Sequence, residues 1–167
     1  MYTIVKKRSG SGSASSFYKL KGKKDRGFKT FDSKDSAEIA HANQSELSRY
    51  NLAPYVYSQV GRVRMSDGSL TDWGFVTEIA ELLCCGGNGC YCCDRESIED
   101  EYEYEISNLI GEMEDYGFCF GDGHAGNVGF VKRDGVDVMV CIDTGDESVT
   151  SDNCYCITCR KGGCCHE

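Results

Sequence analysis

Three oxygen-bearing side chains stand at spacings suited to phosphoryl-transfer chemistry. Asp122 and Asn127 lie in Gly121-Asp122-Gly123-His124-Ala125-Gly126-Asn127-Val128, and Asp143 lies in Val140-Cys141-Ile142-Asp143-Thr144-Gly145. One carboxylate can accept the proton of an attacking hydroxyl, while an amide oxygen and a second carboxylate are hard ligands for Mg2+ on phosphate oxygens. Asp143 stands sixteen positions after Asn127, and a β-hairpin between them would bring the two together. The same D-x-H-x-x-N run also suits turn and capping chemistry alone, because Asp and Asn bond readily to nearby backbone.

Cysteine is the second chemistry-bearing residue. Ten of the twelve fall into two groups of five: Cys84, Cys85, Cys90, Cys92 and Cys93, then Cys154, Cys156, Cys159, Cys164 and Cys165, with His166 beside the last. The N-terminus, MYTIVKKRSGSGSASS, carries basic residues with no apolar segment behind them, so no secretory signal is expected and the cytoplasm is the default compartment. Thiols stay reduced there, which leaves metal binding or mere abundance as the reading of so many cysteines. Cys119 and Cys141 stand alone in apolar surroundings and read as core residues.

These residues need elements to hold them. The length, 167 residues, suits one ordinary domain. Apolar residues at 40 % and charged residues at 27 % exclude a disordered chain, and no apolar run is long enough to span a membrane. Residues 2–7, Phe17–Leu20 with Lys21, and Gly27–Phe31 read as strands separated by the Ser9–Ser16 Gly/Ser stretch and a turn over Gly22–Arg26. Ser33 and Asp35 can cap a helix from about Ser36 to Tyr50, carrying Ile39, Ala42, Leu47 and Tyr50. Strands follow over Tyr55–Val63 and Trp73–Ala80, with a turn at Ser66-Asp67-Gly68. A second helix is expected over Ser97–Tyr116, with Ser97 as cap and a stripe of Tyr102, Ile106, Leu109, Ile110 and Met113. A short strand after Gly117 leads to a hairpin, Val128–Lys132 and Val136–Ile142, turning at Asp134-Gly135. The fold class is α+β.

Charge divides the chain. Residues 1–31 hold nine Lys/Arg and a single acid, a net +8, and the remainder carries −17. The basic segment suits a phosphate-bearing ligand, while the acidic remainder would repel DNA or RNA lying across the whole surface. A solvated strand-and-turn surface accounts for the lysines equally well.

The motif set resembles the protein-kinase-like superfamily, in particular the aminoglycoside phosphotransferases and related small-molecule kinases, whose catalytic loop reads H-G-D-x-H-x-x-N. Here Phe120 replaces the first His, and Asp143-Thr144-Gly145 stands for D-F-G with Thr144 in place of Phe. The resemblance implies a kinase-like fold with an N-terminal antiparallel sheet lobe and one helix (1–83), a Cys-rich post-hinge loop (84–96), a minimal C-terminal lobe (97–150) and a Cys-rich tail (151–167). It implies ATP and Mg2+ as cofactors, Asp122 as base, Asn127 and Asp143 as metal ligands, and Lys29 as the phosphate lysine. Gly10, Ser11, Gly12, Ser13 and Ser15 resemble the glycine-rich phosphate loop with Ser15 at the third glycine. A helix glutamate, Glu38 or Glu46, should pair with Lys29, and Glu78 and Ala80 should lie near the adenine on the hinge with Ile79 and Glu81. His124 would order the catalytic loop.

Only 22 residues follow Gly145, fewer than the activation segment and helical subdomain that kinases use for peptide substrates. The phosphate acceptor or protein partner is therefore open. In such a fold the two cysteine groups can lie near one another, and their thiolates, with His166, are candidate ligands for one or two structural Zn2+ replacing the missing helical core. Two other readings use the same residues: a pseudokinase-like nucleotide-binding or protein-interaction module without catalysis, and a zinc-binding structural protein. So short a chain would suit a phage or other small genome, placing it in a host cytoplasm.

Overall fold

The computed structural model describes residues 4–11, 15–84 and 95–151. It is a mixed α+β protein with antiparallel sheets, as the residue pattern predicts. Strands β1 (Ile4–Ser11), β2 (Ser15–Leu20), β3 (Arg26–Phe31) and β4 (Trp73–Glu78) form one four-stranded sheet in the order β1-β2-β3-β4. Helix α1 (Lys34–Arg49) links β3 to the segment before β4. Strands β5 (Glu81–Leu82), β7 (Val128–Arg133) and β8 (Val136–Cys141) form a second sheet in the order β5-β7-β8, and β6 (Phe118–Phe120) pairs with β9 (Val149–Ser151). Between β5 and β6 lie α2 (Arg95–Glu101) and α3 (Glu103–Asp115).

Most of the Gly/Ser stretch is strand rather than loop. The pairs Ser11–Ser16 and Gly10–Phe17 continue the β1–β2 ladder toward its turn, so only residues 12–14 separate the strands. Ser33 caps α1 as expected, its Oγ accepting from Ser36 N at 3.0 Å, with Asp35 in the first turn where the helix dipole favours an acid.

The buried face of α1 differs from the expected one. Ala37, Ala40, Asn43, Gln44, Leu47 and Ser48 are buried, whereas Ile39 and Tyr50 are exposed. Small alanines let the helix approach the sheet closely, and the buried amides find partners. Gln44 Nε2 donates to Pro54 O (2.9 Å) and to Thr77 Oγ1, which offsets the cost of taking an amide out of water.

The strand expected over Tyr55–Val63 is absent as a continuous element. Isolated bridges, Val56–Thr77, Gly61–Gly74 and Arg64–Leu70, replace it. Side chains take over ladder bonds here: Ser58 Oγ accepts Val76 N at 2.9 Å, and Thr71 Oγ1 accepts Val63 N at 3.0 Å.

The single helix expected over Ser97–Tyr116 is interrupted at Tyr102, whose φ/ψ of −111°/17° separates α2 from α3. Ser97 lies inside α2 rather than capping it. Acids at 99, 100, 101, 103 and 105 repel one another along the helix surface, while Tyr102 packs edge-on against Phe130. The apolar stripe is as expected: Ile106, Leu109 and Met113 are buried in a cluster with Leu47, Phe118, Phe120, Val128 and Val149, and Tyr102 and Ile110 pack against it. Among the described residues, no helix is long and apolar enough to cross a membrane.

Candidate functional site

The β7–β8 hairpin turns at Asp134-Gly135, both with positive φ (52° and 84°), the left-handed pair that a tight hairpin turn requires. Its register pairs Val128 with Cys141 and continues outward through an Ile142 N–H bond to Asn127 O at 2.9 Å. Asn127 and Asp143 thus leave neighbouring positions at the hairpin mouth.

Residues 121–127 form a loop closed on itself. Asn127 Nδ2 donates to Asp122 Oδ2 (2.8 Å) and Asp122 O (3.0 Å), while Asn127 N donates to His124 O (2.8 Å). The Asn127 amide nitrogen is thus taken up by Asp122. Gly126 N donates to His124 Nδ1 at 2.9 Å, which places the imidazole proton on Nε2, 3.5 Å from Asp122 Oδ1. His124 therefore orders this loop, and α2 braces it: Glu99 Oε1 accepts Ala125 N at 3.2 Å.

Lys29 arrives from the other sheet. It is buried on β3, and its Nζ donates to Ile142 O at 2.8 Å and lies 3.7 Å from Asp143 Oδ1. The close approach of β4 holds its backbone, since a Cβ at Gly74 would overlap the Lys29 carbonyl. Ser148 Oγ donates to Asp143 Oδ2 at 2.9 Å. Burial acts to raise the Asp143 carboxyl, but the Lys29 ammonium and the Ser148 and Gly145 donors outweigh it and hold the group below its ordinary value. Asp143 is thus a carboxylate, with 39 % of its side chain exposed against 9 % for Lys29.

Four of the residues singled out in the sequence, Lys29, Asp122, Asn127 and Asp143, therefore converge. Neither helix glutamate joins them. Glu38 pairs with Lys34 (2.9 Å) and Glu46 with Arg49 (2.6 Å) on the solvent side of α1, and the carboxylate beside Lys29 is Asp143. The Glu78 side chain has a structural task. Its carboxylate holds Arg133 Nη1 and Nη2, each at 2.8 Å, and accepts Tyr55 N at 3.0 Å, so the side chain ties β4 to β7. Ala80 lies between β4 and β5.

Gly10, Ser11 and Ser15 sit at the β1–β2 hairpin, and Gly12 and Ser13 lie outside the described residues. Of the candidate zinc ligands only Cys84 is described, and it is buried; Cys85, Cys90, Cys92, Cys93, Cys154, Cys156, Cys159, Cys164, Cys165 and His166 lie outside the described residues. Among the described residues, no group of three or more His, Cys, Asp or Glu is placed to hold a metal ion. Cys141 is fully buried, as expected of a core residue, and Cys119 is half-buried. Burial, with the Asp143 charge beside it, pushes the Cys141 thiol far up, so it stays protonated and is no nucleophile.

Sequence reasoning missed Ser148 and Asn43 as parts of the site and placed Thr144 only at the Phe position of D-F-G. Thr144 is buried, its hydroxyl donating to Ala40 O at 3.0 Å, while Asn43 Nδ2 donates to Thr144 O (3.1 Å) and Val149 O (3.3 Å). A polar Thr between Asp143 and Gly145 was the available signal. A groove of about 470 Å3 between α1 and residues 56–59, lined by His41, Ser45, Arg49 and Tyr57, includes none of the converging residues. No protein-family model matches the chain, and no curated protein matches it.

Proposed function

We propose that the chain is an ATP- and Mg2+-dependent phosphotransferase with a minimal protein-kinase-like core, its acceptor a hydroxyl-bearing molecule of open identity. The observation that carries this reading is the junction of Lys29 with Asp143: a buried lysine reaches from one sheet to the carboxylate at the end of the other, 3.7 Å from Oδ1. Asp143 and the amide oxygen of Asn127 are the hard-oxygen donors that would hold Mg2+. The metal, when bound, neutralises developing charge on the transferring phosphate.

The remaining chemistry belongs to the side chains. Lys29 has three donors, of which Ile142 O takes one and Asp143 faces another, leaving the third for a phosphate oxygen. Asp122, with 45 % of its side chain exposed, is open to an acceptor hydroxyl. One of its oxygens is held by Asn127 and the other lies near His124, which orients the carboxylate to take the acceptor proton.

Isothermal titration tests the reading. ATP should bind with Mg2+ and lose most of that affinity in Asp143→Ala. Equal affinity in the two proteins removes Asp143 as a metal ligand, and no ATP binding by the wild type removes the function.

A further inference from the structure

Asn43 occupies a buried position where only a neutral double donor satisfies what surrounds it. Its amide nitrogen faces two carbonyl oxygens, Thr144 O at 3.1 Å and Val149 O at 3.3 Å. Those carbonyls bracket one turn. Thr144 follows Asp143 directly, and Val149 follows Ser148, whose hydroxyl donates to Asp143 Oδ2. Inside the turn, Ser148 N and Val149 N both donate to Gly145 O, at 3.1 and 2.8 Å. The return bond from Thr144 Oγ1 to Ala40 O closes the connection to α1.

A carboxylate at position 43 would face two carbonyl oxygens and be repelled by both, whereas alanine would leave both without this donor in a buried setting. The helix position thus calls for an amide. We infer that Asn43 is a positioning residue for Asp143, setting the 143–149 turn from α1 through neutral hydrogen bonds where a helix carboxylate paired with Lys29 was expected. This rests on the phosphotransferase reading, in which Asp143 is a metal ligand. Asn43 touches neither nucleotide nor metal; it fixes the turn that aims the carboxylate alongside Asn127. Its loss should weaken the metal-dependent part of nucleotide binding and spare the part that Lys29 carries.

The test compares ATP affinity in Mg2+ with ATP affinity in EDTA and takes the ratio. Asn43→Ala should lower that ratio by about tenfold or more, the range for partners that orient a metal ligand. Ser33→Ala, which removes the α1 cap without touching the turn, should lower Tm and leave the ratio unchanged. Should Asn43→Ala fail to fold, Thr144→Val removes the return bond and should lower the ratio, and Thr144→Ser should restore it. A ratio within about twofold of wild type in folded Asn43→Ala or Thr144→Val overturns the inference and leaves the phosphotransferase reading standing. A wild-type ratio of one overturns both.

Discussion

The Glu78–Arg133 pair makes a quantitative test of how the two sheets are held together. Both side chains are nearly enclosed, with 16 % and 11 % exposed, and the contact is bidentate. Arg133 also donates to Asn51 Oδ1 at 3.1 Å and lies over the Tyr55 ring at 3.8 Å. The hydrogen bonds to Glu78 hold the Arg133 guanidinium charged more firmly than usual. Arg133→Met keeps an apolar stem but strands the Glu78 carboxylate in this setting, which costs about 3–5 kcal/mol for a buried pair. Residual exposure argues for the lower end, roughly 3 kcal/mol, or a Tm lower by about 6–12 °C at this chain length. Glu78→Gln/Arg133→Met removes both charges, and the amide oxygen that replaces the carboxylate can still accept Tyr55 N. The double variant should therefore recover part of the loss. Urea unfolding followed by circular dichroism supplies the four free energies. Single-variant losses below about 1 kcal/mol, the level of an exposed pair, would refute the argument. So would a double variant whose loss equals the sum of the singles. Glu78→Gln should also leave ATP affinity intact in folded protein, because this carboxylate points at Arg133 rather than at a nucleotide.

Asp122→Asn should retain ATP affinity while phosphate transfer or ATP hydrolysis falls by about 10² or more, the scale of a positioned base, and undiminished turnover would move the base elsewhere. Because the folded-state Asp143 carboxyl lies below its unfolded value of about 3.9, its stabilisation is present above that value and lost as pH falls through the folded one. The stability difference between wild type and Asp143→Asn should therefore be constant above about pH 5 and shrink below about pH 4 in acid titrations. Gly74→Ala should destabilise by about 1–3 kcal/mol or more and weaken ATP binding, since the added methyl meets the Lys29 backbone, whereas Gly111→Ala on α3 meets nothing and should not. The zinc staple proposed for the cysteine groups predicts bound zinc in protein purified under reducing conditions and a Tm lowered by a strong chelator. Metal-free protein with unchanged melting would remove it.

The site's parts differ in how far local rules reach. Asp122, Asn127 and Asp143 were legible because turn chemistry and a two-strand hairpin place them, and both act within a few residues of sequence. The left-handed pair at Asp134 and Gly135 sets the register that puts Asn127 beside Ile142. Lys29 was named only through the resemblance, as the phosphate lysine on the Gly27–Phe31 strand. Its carboxylate partner was not legible, because Asp143 lies on a distant stretch of the chain and the expected partner depended on how α1 rotates against the sheet. That rotation defeated an apolar-stripe reading of the helix. Ile39 belongs to the expected apolar stripe and is exposed, while Asn43 and Gln44 stand outside that stripe and are buried. Hydropathy ranks an amide as polar wherever it stands, yet one with two facing carbonyls is at home inside. The same rotation turns Glu38 and Glu46 toward solvent, where Lys34 and Arg49 meet them. With Glu38 and Glu46 paired elsewhere, the lysine's charge falls to Asp143, and Ser148 and the Asn43-bound turn must hold that carboxylate in place. A glutamate that had reached Lys29 would have competed with Asp143 for one ammonium. Its absence ties the lysine and the carboxylate proposed to hold Mg2+ into one unit, so a change at either should be felt at the other.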